Sequence, residues 1–470
     1  MNKIDNSKLL PLYKKDYEIT LDDGLSPDWV KDLIIVELRL ATATSEGTIK
    51  AAYRLLDHYS EMGVNGIWLT PVYDVGETGN GYGSIGPHTI DPALTGTNDY
   101  EEGFNVLKEF ICAAHKKNIR IFLDVVTWGT VLESPLIKEH PDFYSGDEVW
   151  GGQRFQFVDT PWQKWFFDRM MFLIMEVGAD GFRCDCEPNY TGYALFKAVR
   201  EHCLEMGRKI MIFSEDQNER LGTYDFEQYG VMQTLYEWGV DKNVVNPRNH
   251  YLEAYNIVDS VKSGDGVGSR FSQIHGKGGT YRFYSFNTSC HDNGKTSVDG
   301  NILAIGYQAL LAPFIPVMWC GDELGDISHN GSNCLYFQPP RFELLGKTEN
   351  REFFELVKKI VSVRRSYPSI FTYFPPNHRE SNICKINSNS NLQAYARYYA
   401  DKAVLVIPNN SDESLTVTAE VPFAHMGMDS KALYRYFDLL EGKPVAADGH
   451  GNITVQVNAF NMAVILMEKD

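Results

Sequence analysis

The chain has 470 residues, 43% hydrophobic and 23% charged, with 62 Asp and Glu against 44 Lys and Arg, a formal net charge of -18. So acidic a surface repels phosphate backbones and anionic lipid, which argues against nucleic acid or a membrane as partner and leaves a neutral, hydroxyl-rich ligand unopposed. The length predicts one large domain of about 250 to 400 residues with an appendage.

The first residues, Met1 to Asn6, lack a basic start followed by an apolar run, so no signal peptide is expected and the sequence reads as cytoplasmic. The longest apolar stretch, Ile302 to Trp319, is interrupted by Gln308, Pro313 and Pro316, which suits a buried helix and then a buried strand. Cysteines are scattered apart from Cys184 and Cys186, with no second Cys or His pair to complete a zinc set; free thiols in a reducing compartment are expected.

Taken in order, short apolar runs alternate with amphipathic stretches. Leu33 to Val36 reads as a buried strand, and Thr48 to Met62 as a helix stopped by Gly63. Gly66 to Thr70 is the next strand, followed by a Gly-rich loop from Gly76 to Gly96. A helix from Tyr100 to Lys117, capped by Asn98 or Asp99, leads to a third strand, Ile119 to Asp124. Thr127 to Phe157 has no helical period and reads as an excursion from the top of that strand. Thr160-Pro161 opens another helix, ending near Gly178. After it comes the stretch around which the chain is organised, Gly181-Phe182-Arg183-Cys184-Asp185.

Side chains alternate along a strand, so Arg183 and Asp185 share one face. A cation beside an aspartate favours its charged form, and an ionised carboxylate held at a strand end is a nucleophile in waiting. The alternative is a buried structural ion pair.

A helix from Tyr193 to Met206 leads to the strand Lys209 to Glu215; further strands are expected at Val231 to Leu235, Arg282 to Phe286 and Ile315 to Trp319, and a last helix at Arg351 to Arg364. Eight strands alternating with helices predict an α/β fold, a parallel (β/α)8 barrel. A doubly wound open sheet is the alternative, but no phosphate-binding G-x-G-x-x-G follows the first strand. From about Asn377 the pattern turns to short strands bounded by Asn, Ser and Asp, without an acidic constellation. The expected division is therefore 1–376 as the barrel, with 125–158 inserted after strand 3, and 377–470 as an antiparallel, sandwich-like β domain with a structural role.

In such a barrel, catalysis sits at the C-terminal strand ends. The acidic residues there are Asp124, Asp185, Glu215 and, past the seventh strand, Asp292 beside His291. Converging carboxylates suit glycoside hydrolysis, in which one attacks and another donates a proton.

These motifs resemble, over nearly the whole chain, the alpha-amylase family of glycoside hydrolases (family 13). Asp124-Val125-Val126 resembles its third-strand motif, Gly181 to Asp185 matches its fourth, Phe213-Ser214-Glu215 resembles its fifth and His291-Asp292 its seventh. Cys320 to Gly325 resembles the turn after its eighth strand. The resemblance implies that Asp185 is the nucleophile, Glu215 the acid/base and Asp292 the transition-state stabiliser. It implies that Tyr82, Asp124, Arg183 and His291 serve substrate binding, Tyr82 as an aromatic platform under the reacting sugar. The implied substrate is an α-glucan or malto-oligosaccharide; transglycosylation or phosphorolysis on the same scaffold, or a silent carbohydrate-binding barrel, are the alternatives. The oligomeric state is left open.

Three departures stand out. Where the family has Asn-His after the third-strand motif this chain has Trp128-Gly129, Cys290 replaces the usual Asn before His291, and Ser84 to His88 lacks the usual Asp-Tyr. No cofactor is expected; calcium is left open elsewhere but not at the family's position, because an indole offers no oxygen ligand. Trp128 either compensates for the absent histidine with a flat face and one donor or packs over the barrel mouth.

Overall fold

The computed structural model describes residues 27–77, 79, 81–156, 161–185, 191–214, 226–227, 258, 283–286, 290–291, 298–311, 314–326, 335–373 and 381–470. It divides into two compact units, Met1–Gln228 with Gly278–Tyr281, and Tyr229–Lys277 with Arg282–Asp470.

The first unit opens with strand β1 (Ile35–Leu38), two residues later than expected, and helix α1 (Ile49–Met62). Thr48 Oγ1 accepts from Ala51 N at 3.2 Å, and Gly63 at φ 93° ends the helix, so both ends follow from local sequence. Ile49, Ala52, Leu55, Leu56, Tyr59 and Met62, three or four apart, form its buried face. Strand β2 (Gly66–Leu69) follows. The Gly-rich loop then includes a short helix, Pro92–Thr95, which Asp91 caps.

Helix α2 (Tyr100–Lys116) is capped by Asp99, whose side chain accepts from Glu102 N at 2.9 Å, and leads to strand β3 (Arg120–Val126). The excursion is a three-stranded antiparallel sheet of β4 (Gly129–Val131), β5 (Tyr144–Val149) and β6 (Gly152–Phe155), with β6 central. Helix α3 (Pro161–Phe172) ends in one wide π turn, Leu173–Val177, closed by Gly178 at φ 98°.

Strand β7 (Gly181–Asp185) enters between β3 and β8 (Met211–Ser214), and α4 (Thr191–Glu205) connects β7 to β8. Asp180 anchors the entry: its carboxylate accepts from Ile121 N at 2.9 Å and lies 2.7 Å from His115 Nε2. A Cβ at Gly181 would lie 1.7 Å from the Met211 carbonyl oxygen, so only glycine fits there. The next strand, β9 (Phe226–Glu227), pairs with β8. The sixth strand therefore stands upstream of Val231 to Leu235, where the sequence suggested it; those five residues lie outside the described ones.

In the second unit β10 (Phe283–Phe286) pairs in parallel with β11 (Phe314–Trp319), linked through α5 (Val298–Leu310). With β1, β2, β3, β7, β8 and β9 these are the eight strands of a (β/α)8 barrel. Helix α6 (Thr348–Ser366) precedes an antiparallel β region in which Tyr395–Tyr399 (β12), Lys402–Asn409 (β13) and Asn461–Lys469 belong to a six-stranded sheet. A three-stranded sheet includes Leu415–Glu420 and Asn452–Val457. Leu405, Ile407, Val417, Ile453 and Ile465 meet in one core drawn from both sheets. The helices α5 and α6 pack on this region: Tyr307 stacks on Tyr395 with centroids 6.1 Å apart, and Lys359 Nζ donates to the Leu440 carbonyl at 2.6 Å.

Candidate active site

Register brings the site together in the first unit. Asp124 on β3 stands beside Arg183 on β7, and Val126 beside Asp185. Arg183 has no exposed surface, and Asp124 and Asp185 are only 1% and 5% exposed. One guanidinium nitrogen, Arg183 Nη1, donates to Asp185 Oδ1 at 2.7 Å and to both Asp124 oxygens at 3.2 Å. A buried guanidinium is tolerated because carboxylates neutralise it in place of water, and charge-assisted bonds of this kind are stronger than neutral ones.

Asp124 is held from two further directions. Trp68 Nε1 on β2 donates to Asp124 Oδ2 at 3.1 Å, and the Tyr82 hydroxyl donates to the same oxygen at 2.9 Å. The Arg183 guanidinium lies over both rings, 5.0 Å from the Trp68 centroid and 5.6 Å from that of Tyr82. Burial, and then the Asp124 charge, push the Tyr82 phenol up, so it stays protonated and keeps donating. Thr127 Oγ1 donates to the Asp185 carbonyl at 2.7 Å and fixes the strand end from the side of β3.

Four of the seven residues selected from the sequence, Tyr82, Asp124, Arg183 and Asp185, thus form one bonded cluster. His291 lies in the second unit, buried, its carbonyl accepting from Leu335 N at 2.9 Å and its ring edge-on to Tyr336 at 6.1 Å. Glu215 and Asp292 lie outside the described residues. The sequence reading passed over Trp68, Thr127 and Glu37, the last a fully buried carboxylate on β1 in register with Trp68. Glu37 had a visible signal, a lone charge inside Ile34-Ile35-Val36-Glu37-Leu38.

Trp128 is buried, and its Nε1 donates to the Tyr82 carbonyl at 2.8 Å. The indole therefore braces the backbone of the tyrosine loop, and that donor is already engaged. Gly129 pairs with Arg154 across the β4–β6 ladder, and a Cβ there would lie 2.0 Å from the Gln153 carbonyl oxygen. A histidine at 129 would force the two strands apart. Among the described residues no group of three or more His, Cys, Asp or Glu side chains is arranged to hold a metal, and no helix is long and apolar enough to cross a membrane.

The family profile described as "Alpha amylase, catalytic domain" matches residues 39–170. Among curated relatives, a cyclomaltodextrinase of Thermoanaerobacter pseudethanolicus is 21% identical over 85% of this chain and 70% of its own length. A malto-oligosyltrehalose trehalohydrolase of Saccharolobus solfataricus is 25% identical, and this chain spans 57% of its length. Of solved structures, a noncanonic maltogenic alpha-amylase from Thermotoga neapolitana superimposes with a TM-score of 0.68 at 17% identity, covering 93% of this chain and 99% of its own. An alpha-amylase from Geobacillus thermoleovorans, crystallised with acarbose, gives 0.69 at 16%, covering 93% and 98%. At such identities the structural likeness carries the fold alone.

Proposed function

We propose that the chain is an alpha-amylase-family glycoside hydrolase, on the profile match and the curated relatives, and that it hydrolyses α-glucosidic bonds in malto-oligosaccharides or α-glucans with retention of anomeric configuration. The observation that supports this best is the buried Arg183, whose Nη1 reaches both Asp124 and Asp185 Oδ1 at the end of β7. Arg183 stabilises the charge of Asp185 and fixes one of its oxygens; Asp124, Trp68 and Tyr82 fix Arg183 in turn. On this reading Asp124 and Arg183 are positioning residues, because both are enclosed.

Asp185 attacks the anomeric carbon while Glu215 protonates the departing glycosidic oxygen, leaving a glycosyl ester on Asp185. Glu215 then takes a proton from water as the water oxygen attacks the same carbon and the ester breaks, which returns both carboxyls to their starting states. Asp292 stabilises the positive charge of each transition state, His291 bonds sugar hydroxyls, and Tyr82 lies beneath the reacting ring. Residues 1–376 form the catalytic barrel and 377–470 the supporting β domain. Retention requires the Asp185 and Glu215 carboxyls to stand about 5 to 6 Å apart.

The test is turnover on a panel of α-linked oligosaccharides, with the first-formed anomer followed by NMR. The α anomer is expected. The β anomer would rule out a covalent intermediate on Asp185, and absence of turnover on every α-glucoside would rule out the activity.

A further inference from the structure

We propose that Trp150 is an outer sugar-binding platform, stacking on a glucose unit of the α-glucan chain beyond the cleavage subsite. This rests on the hydrolase reading above for its ligand, but not for its geometry. Val149 pairs with Gly152, so Trp150-Gly151 is the whole loop of the β5–β6 hairpin. Both residues have positive φ, 51° and 78°, the requirement of the tight turn that normally takes Asn-Gly. A side chain with a Cβ is disfavoured in that conformation, and a bulky one more so. Yet the largest side chain stands there, and it is 69% exposed. Folding alone favours asparagine at this position, so the indole points to a ligand.

The location supports this. The Trp150 ring stands edge-on to Trp128 with centroids 5.5 Å apart, while Trp128 is itself bonded to the Tyr82 backbone at 2.8 Å. A rigid aromatic path thus runs from the tyrosine of the catalytic cluster to an open indole face. With Trp128 at its edge, that face is steadied for stacking on the apolar C–H face of a pyranose, which carries no charge for the acidic surface to repel. A short substrate filling only the cleavage subsite would not reach it.

Binding is measured by calorimetry in the Asp185→Asn background, so that turnover plays no part. Adding Trp150→Ala is expected to weaken maltoheptaose about tenfold and maltotriose less than about twofold. Equal losses on both sugars, or none on maltoheptaose, would overturn the proposal. Trp150→Asn in the otherwise native chain is expected to raise the thermal midpoint by about 1 to 3 °C, because it relieves the turn. A lowered midpoint would make the indole a structural prop and would equally overturn it. If the native enzyme turns over no α-glucan, the hydrolase reading fails, and the two calorimetric titrations still decide whether Trp150 holds a sugar chain.

Discussion

Two arginines among the described residues have no exposed surface, and they do opposite work. Arg183, in the first unit, is surrounded by charge: its Nη1 reaches Asp124 and Asp185, with Trp68 and Tyr82 bonded to the first of these. Arg397, on β12 in the second unit, is surrounded by neutral acceptors. It donates to the carbonyls of Asn382 and Ile370 and to the Asn382 amide oxygen, at 3.2, 2.7 and 2.9 Å. Burial, and then the neighbouring Arg364, pull its guanidinium well below its ordinary range, down to about 9. Without a carboxylate its charge is poorly compensated, and its role is to join the segments at Ile370 and Asn382 to the sheet. The same residue at the same burial serves chemistry when its partners are carboxylates and architecture when they are carbonyls.

The sharpest separation should come from the nucleophile. Asp185→Asn keeps volume and one acceptor for Arg183 but deletes the attacking charge, so kcat should fall by at least about 10³-fold with an unchanged circular dichroism spectrum. Activity within tenfold of the native enzyme would remove Asp185 from the mechanism. Next in size is Asp124→Asn, which loosens Arg183 without touching substrate. It should lower kcat by about 10- to 100-fold while leaving KM within about threefold. A change confined to KM would instead make Asp124 a direct substrate ligand.

The architectural arginine should respond the other way. Arg397→Met removes the donor to the Asn382 amide oxygen, while the Ile370 and Asn382 carbonyls keep Asn382 Nδ2 and Tyr398 N; it should cost about 1 to 3 kcal/mol of stability in urea titration, offset in part by the lost repulsion from Arg364, and kcat should not change at permissive temperature. Loss of activity without loss of stability would break the contrast between the two arginines.

A smaller effect is expected at His88, whose imidazole burial holds below its ordinary 6.5 despite the opposing pull of Glu139. The unfolded chain then takes up a proton more readily than the folded one. The stability from keeping His88 neutral is therefore complete above pH 6.5 and declines as pH falls below it. His88→Gln should reduce the drop in thermal midpoint between pH 7.5 and 5.5; an identical drop in both proteins would show that His88 titrates alike in the folded and unfolded chain. Smallest of all is the response to chelation. With Trp128 where an oxygen ligand would be needed, EDTA should leave the midpoint unchanged, and a fall of several degrees would locate a structural cation in the protein.

What could be taken from the sequence was whatever a few neighbouring residues encode. Thr48 and Gly63 mark the ends of α1, Asp99 marks the start of α2, and the alternation in Gly181 to Asp185 places Arg183 and Asp185 on one face. Caps and periodicity act within one helical turn or one strand, so local sequence is sufficient for them. The family likeness added the acidic strand ends in their order. The tertiary structure alone decided who meets whom. Trp68 and Tyr82 reach Asp124 across 56 and 42 residues of chain; sheet register, which no local pattern specifies, brings in Trp68, and the loop after β2 brings in Tyr82. It also decided what the departures mean. Gly129 is glycine because Gln153 of β6 passes 2.0 Å from where its Cβ would be, and Trp128 is committed to the Tyr82 backbone. The sixth strand escaped for the same reason: two residues, Phe226 and Glu227, carry too little periodicity to be seen before β8 pairs with them.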